Sequence, residues 1–124
     1  TSAFSPSLTH EHVRPGTHLA CMGTDTKGKQ EVDAALVAGA TVFTDEIAQS
    51  ISIGEAQHAI AEGLIAESAI NQIGAVINGA HPGRTSADEI TLFDGTGVGL
   101  QDLAVAQSVV DIAVRKGAAI QVDF

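Results

Sequence analysis

The sequence predicts an α/β fold, doubly wound and mainly parallel in its pairing. Two observations carry that expectation. Short apolar, β-branched runs alternate along the chain with helical stretches, the rhythm of strand-helix-strand units on a parallel sheet. Two of those runs, Leu19-Ala20-Cys21-Met22 and Ile90-Thr91-Leu92-Phe93, open straight into loops rich in glycine and charge. Open α/β sheets place their ligand chemistry where strands end in this way. With 124 residues, 44% hydrophobic and 17% charged, the chain is too apolar for disorder and has the bulk for one core, so residues 1–124 are expected to form a single domain.

The elements follow in order. Ser5-Pro6-Ser7-Leu8-Thr9 reads as a turn, with Pro6 holding the residue before it extended. Val13-Arg14-Pro15-Gly16 is a second turn, and Thr17 to Met22 the strand that follows. Beyond the polar loop, Glu31 to Ala38 reads as a short helix stopped by Gly39 in a left-handed conformation. Thr41-Val42-Phe43-Thr44 is a β-branched strand leading to Asp45. From Glu46 to Gly79 the pattern is helical but broken at Gly54 and Gly63, giving two or three short helices, the last near Ser68 to Asn78.

His81-Pro82-Gly83 is a loop, Ile90 to Phe93 a strand, and Val98 to Lys116 a long helix after a glycine cluster. In that helix Leu103, Ala106, Val110 and Ala113 recur three and four residues apart against a narrow stripe of Gln101, Ser108, Asp111 and Arg115, which predicts a mostly buried helix. Gly117 ends it, and Ala119 to Val122 reads as a final strand.

Composition excludes several roles. A net charge of -9, from 15 acidic and 6 basic residues, argues against a nucleic-acid surface, which needs clustered Lys and Arg. Nothing approaches the roughly 18 apolar residues of a membrane span, so a cytoplasmic protein without membrane contact is expected. Cys21 is the only cysteine, flanked by apolar residues, and reads as a buried thiol. The chain opens on Thr1 rather than methionine, which suggests a piece of a longer protein.

Several groups could carry chemistry. Asp25, in the loop Gly23-Thr24-Asp25-Thr26-Lys27-Gly28-Lys29-Gln30-Glu31, is a candidate acid or base; equally, it could cap the next helix or pair with Lys27 or Lys29. The Gly95-Thr96-Gly97-Val98-Gly99 cluster supplies a tight turn and backbone amides at a helix start. It lacks the spacing of a pyrophosphate-binding G-x-G-x-x-G, so on the residues alone the chain reads as half of a dinucleotide fold, the half facing the nicotinamide. His10-Glu11-His12 lacks a third convergent ligand and reads as solvated surface, so no metal is assigned. His18 reads as a packed or edge histidine, and His58 and His81 as surface residues. Arg84 is placed in an ion pair with Asp88 and Glu89 ahead of a phosphate contact.

The Gly23 to Glu31 loop resembles the signature loop of the ornithine cyclodeaminase/μ-crystallin family, and Gly83 to Gly97 supplies a second similar segment in the right order. Pro15-Gly16-Thr17-His18, Ile73 to Gly79 and Ile90 to Asp102 extend the likeness over nearly the whole chain. Ile90 to Asp94 and Leu100 to Ala106 are most similar to the alanine dehydrogenase type. The resemblance implies the carboxy-terminal portion of a longer protein, a partial Rossmann-like NAD(P)-binding fold, in an enzyme acting at the α-amino carbon of a small amino acid or imine. It makes Asp25 the catalytic acid/base and puts Lys29 near the cofactor, NAD or NADP. Thr1 and Ser2 then skirt the cofactor ribose, Gly23 and Thr24 join the binding set through the signature loop, and Gly95 and Thr96 approach the nicotinamide.

Two departures stand out: Lys27 replaces a common proline, and Gly95 a common serine. Because the pyrophosphate glycines and the substrate-binding lysine and arginine of the family belong to other segments, the resemblance implies weak or absent cofactor binding and no turnover in this chain alone. Its partners would be the missing amino-terminal portion or a second copy, as a homo-oligomer. The alternatives are an inactive, self-associating fragment and a small-ligand binding module of the μ-crystallin kind.

Overall fold

A computed structural model describes residues 2–122. Its strands are β1 (Phe4–Leu8), β2 (His18–Cys21), β3 (Gln30–Val32), β4 (Thr41–Thr44), β5 (Asn71–Gln72) and β6 (Thr91–Asp94). Its helices are α1 (Ala34–Ala38), α2 (Ile47–Ser52), α3 (Ala56–Ala61), α4 (Ile73–Ile77) and α5 (Gly99–Arg115). Four strands form a sheet in the order β2-β6-β4-β5, and β1 pairs with β3 beside it. Every one of these pairings is parallel, as the alternation of elements predicts.

Strand β6 is central because it is apolar enough to be covered on both faces: Leu92 is 0% and Thr91 4% exposed. Side chains alternate across the sheet. Cys21, Leu92 and Val42 therefore face one way and join Leu36 and Val37 of α1 and Ala56 and Ala59 of α3 in the core. Phe43 and Thr91 face the other way, where Ile73 and Val76 of α4 share with them a cavity of about 240 Å³. Helices thus flank both faces, the doubly wound arrangement of a partial Rossmann-like fold.

Six expectations need correction. Ser5 to Leu8 belong to β1 rather than a turn; an edge strand tolerates Pro6, whose missing amide needs no ladder partner. Glu31 and Val32 lie in β3, and the helix starts only at Ala34, where the Asp33 carboxylate accepts the Leu36 amide at 2.6 Å. It ends at Gly39 as expected, but with φ −81°, not left-handed. Between Ser68 and Asn78 the chain makes a 3-10 turn (Glu67–Ala69), β5 and then α4, because the short run at Asn71 docks beside β4, with the Asn71 side chain donating to the Val42 carbonyl at 3.2 Å. Residues 119–122 form no strand. The largest correction concerns α5: no residue in it is buried, and Leu103 and Val110 are 64% and 55% exposed. Its apolar stripe is real, but the described residues leave it largely exposed, with only Ala119 to Gln121 bordering it at Val110 and Val114.

Candidate functional site

Parallel pairing puts every strand's carboxyl end on one rim. Cys21 and Thr44 both register with Asp94, and Thr44 with Gln72, so the chain leaves β2, β6, β4 and β5 in a row. The segments that continue from the first three, starting at Met22, Gly95 and Asp45, share that rim. The two glycine-rich loops singled out in the sequence are therefore neighbours, and the Gly95 amide donates to the Cys21 carbonyl at 2.8 Å.

Asp25 projects from the first loop. Its side chain is 62% exposed, and its Oδ1 accepts from Lys29 Nζ at 2.7 Å and from the Thr26 hydroxyl at 3.1 Å. The Lys29 hydrogen bond, seconded by Thr26, holds the Asp25 carboxyl below the usual aspartate range. Asp25 is therefore a carboxylate at neutral pH, fit to accept a proton or face a cation. The loop turns at Gly28, where φ is +87° and a side chain would be strained. Lys27 stays exposed and makes no part of the pair.

The second loop is held by an acid the sequence reading passed over. Asp45, directly after β4, accepts from the Thr96 amide (3.0 Å), the Thr96 hydroxyl (2.7 Å) and the Gly97 amide (3.0 Å). Partial burial works to raise the Asp45 carboxyl, but the hydrogen bonds from Thr96 and Gly97 outweigh it and keep the carboxyl low. Thr96 is 7% exposed, with its hydroxyl also 2.8 Å from Gln49 Oε1. An added Cβ at Gly95 would sit 2.4 Å from Met22 Sδ, so the thioether occupies the room that a serine there would need. At Gly97, φ is +81° and an added Cβ would meet nothing within 4 Å. Gly97 is exposed whereas Gly95 and Thr96 are buried, so of these three only Gly97 presents open backbone.

Beneath both loops lies a buried acidic cluster. Asp94, 0% exposed at the end of β6, accepts from the Ser50 hydroxyl (2.6 Å) and the Glu55 amide (2.9 Å) on one oxygen; the other has no partner among the described residues. Burial, opposed by the Ser50 hydrogen bond and reinforced by the nearby Glu55 charge, pushes the Asp94 carboxyl up to about 6. The same surroundings push the Cys21 thiol up to about 12, burial first and then Glu55 and Asp94, so Cys21 is inert as its neighbours in sequence suggest. Asp45 and Asp94 had one legible signal, an acid at the end of a parallel strand. Glu55 had none, since it lies far in sequence from everything it touches.

The remaining candidates divide. Ser2 is exposed beside Ala3, whose carbonyl accepts the Gln30 amide at 3.0 Å, so the amino-terminal turn lies against the Asp25 loop. Thr1 lies outside the described residues. Gly23 is half-buried and Thr24 fully buried, which makes Thr24 a support rather than a surface for ligand. His18 sits on the edge strand, 2.8 Å from the Thr91 hydroxyl. His58 and His81, expected at the surface, are half-buried: His58 Nε2 is 3.0 Å from the Lys29 carbonyl, and His81 packs edge-on against Phe43.

Arg84 pairs with no carboxylate among the described residues. It donates to the Thr17 and Glu89 carbonyls and the Thr91 hydroxyl, because the Glu89 carboxylate is occupied by the Thr41 and Thr85 hydroxyls and the Thr85 and Ser86 amides. The Thr41 hydrogen bond leads in drawing the Glu89 carboxyl down to about 2.

A parallel sheet with helices on both faces and glycine loops on its carboxyl rim define a partial Rossmann-like α/β fold. The chain belongs to the ornithine cyclodeaminase/mu-crystallin family, whose model matches residues 1–117. It is 65% identical over its full length to the iminosuccinate reductase of Paracoccus denitrificans, of which it covers 38%. The structure of that reductase in complex with NAD+ superposes with a TM-score of 0.93 over all of this chain and 38% of the other. An archaeal alanine dehydrogenase dimer with bound NAD superposes at 0.89 with 37% identity, covering all of this chain and 39% of that one. The Δ1-pyrroline-2-carboxylate reductase of Thermococcus litoralis, in complex with NADH and L-proline, gives 0.90 at 25% identity, covering 98% of this chain and 38% of its own. The chain thus spans less than two fifths of the length of these relatives.

Proposed function

We propose that these residues form the nicotinamide-facing part of an NAD(P)-dependent oxidoreductase that acts at the α-amino carbon of a small amino acid or imine, with a small imino acid such as iminosuccinate as the first substrate to test. The observation that carries this reading is the shared rim, from which the loop bearing the Asp25–Lys29 pair and the Gly95-Thr96-Gly97 loop leave adjacent strand ends, in a chain 65% identical to an iminosuccinate reductase. A nicotinamide, when bound, supplies or accepts the hydride. Asp25, kept ionised by Lys29, stabilises the cationic iminium in the reducing direction and takes the amine proton in the other. Lys29, 18% exposed, orients that carboxylate rather than reacting itself. Gly95 and Thr96, buried and with their amides held by the Cys21 carbonyl and Asp45, shape the turn beneath the exposed Gly97, whose backbone faces the cofactor; Ser2 lies at the margin, Thr1 is carried over from the resemblance alone, and Gly23 and Thr24 shape the loop.

The chain is proposed as one domain that requires further segments for turnover, since its sequence holds no G-x-G-x-x-G to cradle a pyrophosphate. A second reading, a self-associating fragment without activity, is favoured by one observation only, the uncovered apolar face of α5. A chimera separates the two. Replacing the matching segment of the Paracoccus reductase with this chain should preserve NADH-dependent iminosuccinate reduction, and Asp25→Asn in the chimera should lower kcat by about 100-fold or more. A soluble, folded chimera that is inactive, or an Asp25→Asn variant with undiminished turnover, defeats the proposal.

A further inference from the structure

Beyond the residues assigned to the site, a single buried side chain touches both ends of the Asp25 loop. Glu55, 1% exposed at the start of α3, accepts from the Thr24 hydroxyl on one side of the loop and from the Glu31 (3.0 Å) and Val32 (3.2 Å) amides on the other. Thr24 immediately precedes Asp25, and Glu31 lies two residues beyond Lys29. Neighbours in the same turn grip the middle. Gln57 accepts the Gly28 amide at 2.7 Å and donates to the Lys29 carbonyl at 3.3 Å.

Glu55 is itself fixed from the sheet, since its amide donates to Asp94 Oδ2 at 2.9 Å. That approach requires a glycine before it, because a Cβ at Gly54 would stand 2.4 Å from the same oxygen. A continuous set of contacts therefore runs from the central strand through Glu55 to the loop that bears the Asp25–Lys29 pair. Three donors converge on the Glu55 side chain, and an acceptor-only group meets all three. A glutamine of the same shape would turn its amide hydrogens toward backbone N–H groups.

We propose that Glu55 is a positioning residue for Asp25: by tying down both ends of the loop it sets the Asp25–Lys29 geometry. The functional weight of this rests on the reading of Asp25 given above, but the positioning can be tested without it. The experiment follows the Asp25 carboxyl carbon through a pH titration by NMR in the 124-residue chain, together with amide hydrogen exchange, for the parent, Glu55→Gln, Thr24→Val and Thr24→Ser.

In Glu55→Gln the Asp25 titration should move up toward the ordinary aspartate range. Exchange at Glu31 and Val32 should quicken at least about tenfold, while Val42 and Leu92 keep their protection. Thr24→Val should move the Asp25 titration in the same direction, and Thr24→Ser, which keeps the hydroxyl, should restore the parent behaviour. An Asp25 titration unchanged in a folded Glu55→Gln protein overturns the proposal. If that variant does not fold, an Asp25 titration unchanged in Thr24→Val overturns it equally. A shifted titration alongside a chimera indifferent to Asp25→Asn would instead leave the positioning intact and sink the catalytic reading.

Discussion

Two carboxylates on the same rim are driven in opposite directions, one by a lysine hydrogen bond and the other by burial. Asp25, open to solvent and paired with Lys29, is held low, whereas Asp94, sealed under the loops with one oxygen unpartnered among the described residues, is raised to about 6. The raised group makes stability depend on pH. Between the ordinary value of 3.8 and about 6 the folded chain holds the Asp94 proton more tightly than the unfolded chain does, so this group's contribution to stability falls as pH rises through that window and is level above it. Asp94→Asn removes the titration while keeping an oxygen for the Ser50 hydroxyl and the Glu55 amide. Its urea midpoint, measured from pH 4 to 7, should gain relative to the parent as pH rises. A constant difference between the two across that range would show that burial does not perturb Asp94.

At the scale of elements, packing between distant segments decided what the sequence could disclose. Strands β4 and β6 and the long helix α5 were legible because their patterns are local: β-branched runs of four residues, and a glycine-bounded stretch of 17. Strands β1, β3 and β5 were not. Phe4 pairs with Gln30 and Phe43 with Asn71, and nothing near Ser5, Glu31 or Asn71 in sequence announces those partners. The candidate site divides in the same way: Asp25, Lys29, Gly95 and Thr96 lie in loops that stand out in the sequence, Asp45 and Asp94 are marked only by their place at strand ends, and Glu55 emerges only once the rim is assembled. Gly54, legible only as a helix break, proves to be the packing point between α2, α3 and β6. A methyl group there would lie 2.4 Å from Asp94 Oδ2 and 2.7 Å from the Ser50 Cα, a backbone atom that cannot swing aside. Gly54→Ala should therefore cost about 1–3 kcal/mol by urea unfolding, although alanine is otherwise the better helix former. Gly63→Ala, where φ is +70° but an added Cβ meets nothing, separates the cost of backbone strain from that of crowding.

The whole molecule carries two surfaces that a compact α/β unit does not ordinarily leave open. Strand β2 ends the four-stranded order and presents an unpaired edge among the described residues. Helix α5 exposes Leu100, Leu103, Val105, Val109, Val110 and Val114, each at least 55% accessible. An apolar face of that length marks an interface. The relatives' greater length supplies a reason for it, since this chain covers only 38% of the Paracoccus reductase. On its own, the 124-residue chain should therefore self-associate through α5, and it should enhance NADH fluorescence little, because its glycine loops hold no pyrophosphate spacing. Sedimentation over a wide concentration range tests the first expectation. The parent should sediment as more than a monomer, and Leu103→Glu with Val110→Glu should return it to a monomer without loss of the urea midpoint, since neither side chain is buried. A parent that stays monomeric at high concentration would mean that the helix face is tolerated in water. A doubly substituted chain that still associates would move the interface to the open edge of β2, where a charged residue in place of Ala20 would be expected to block it.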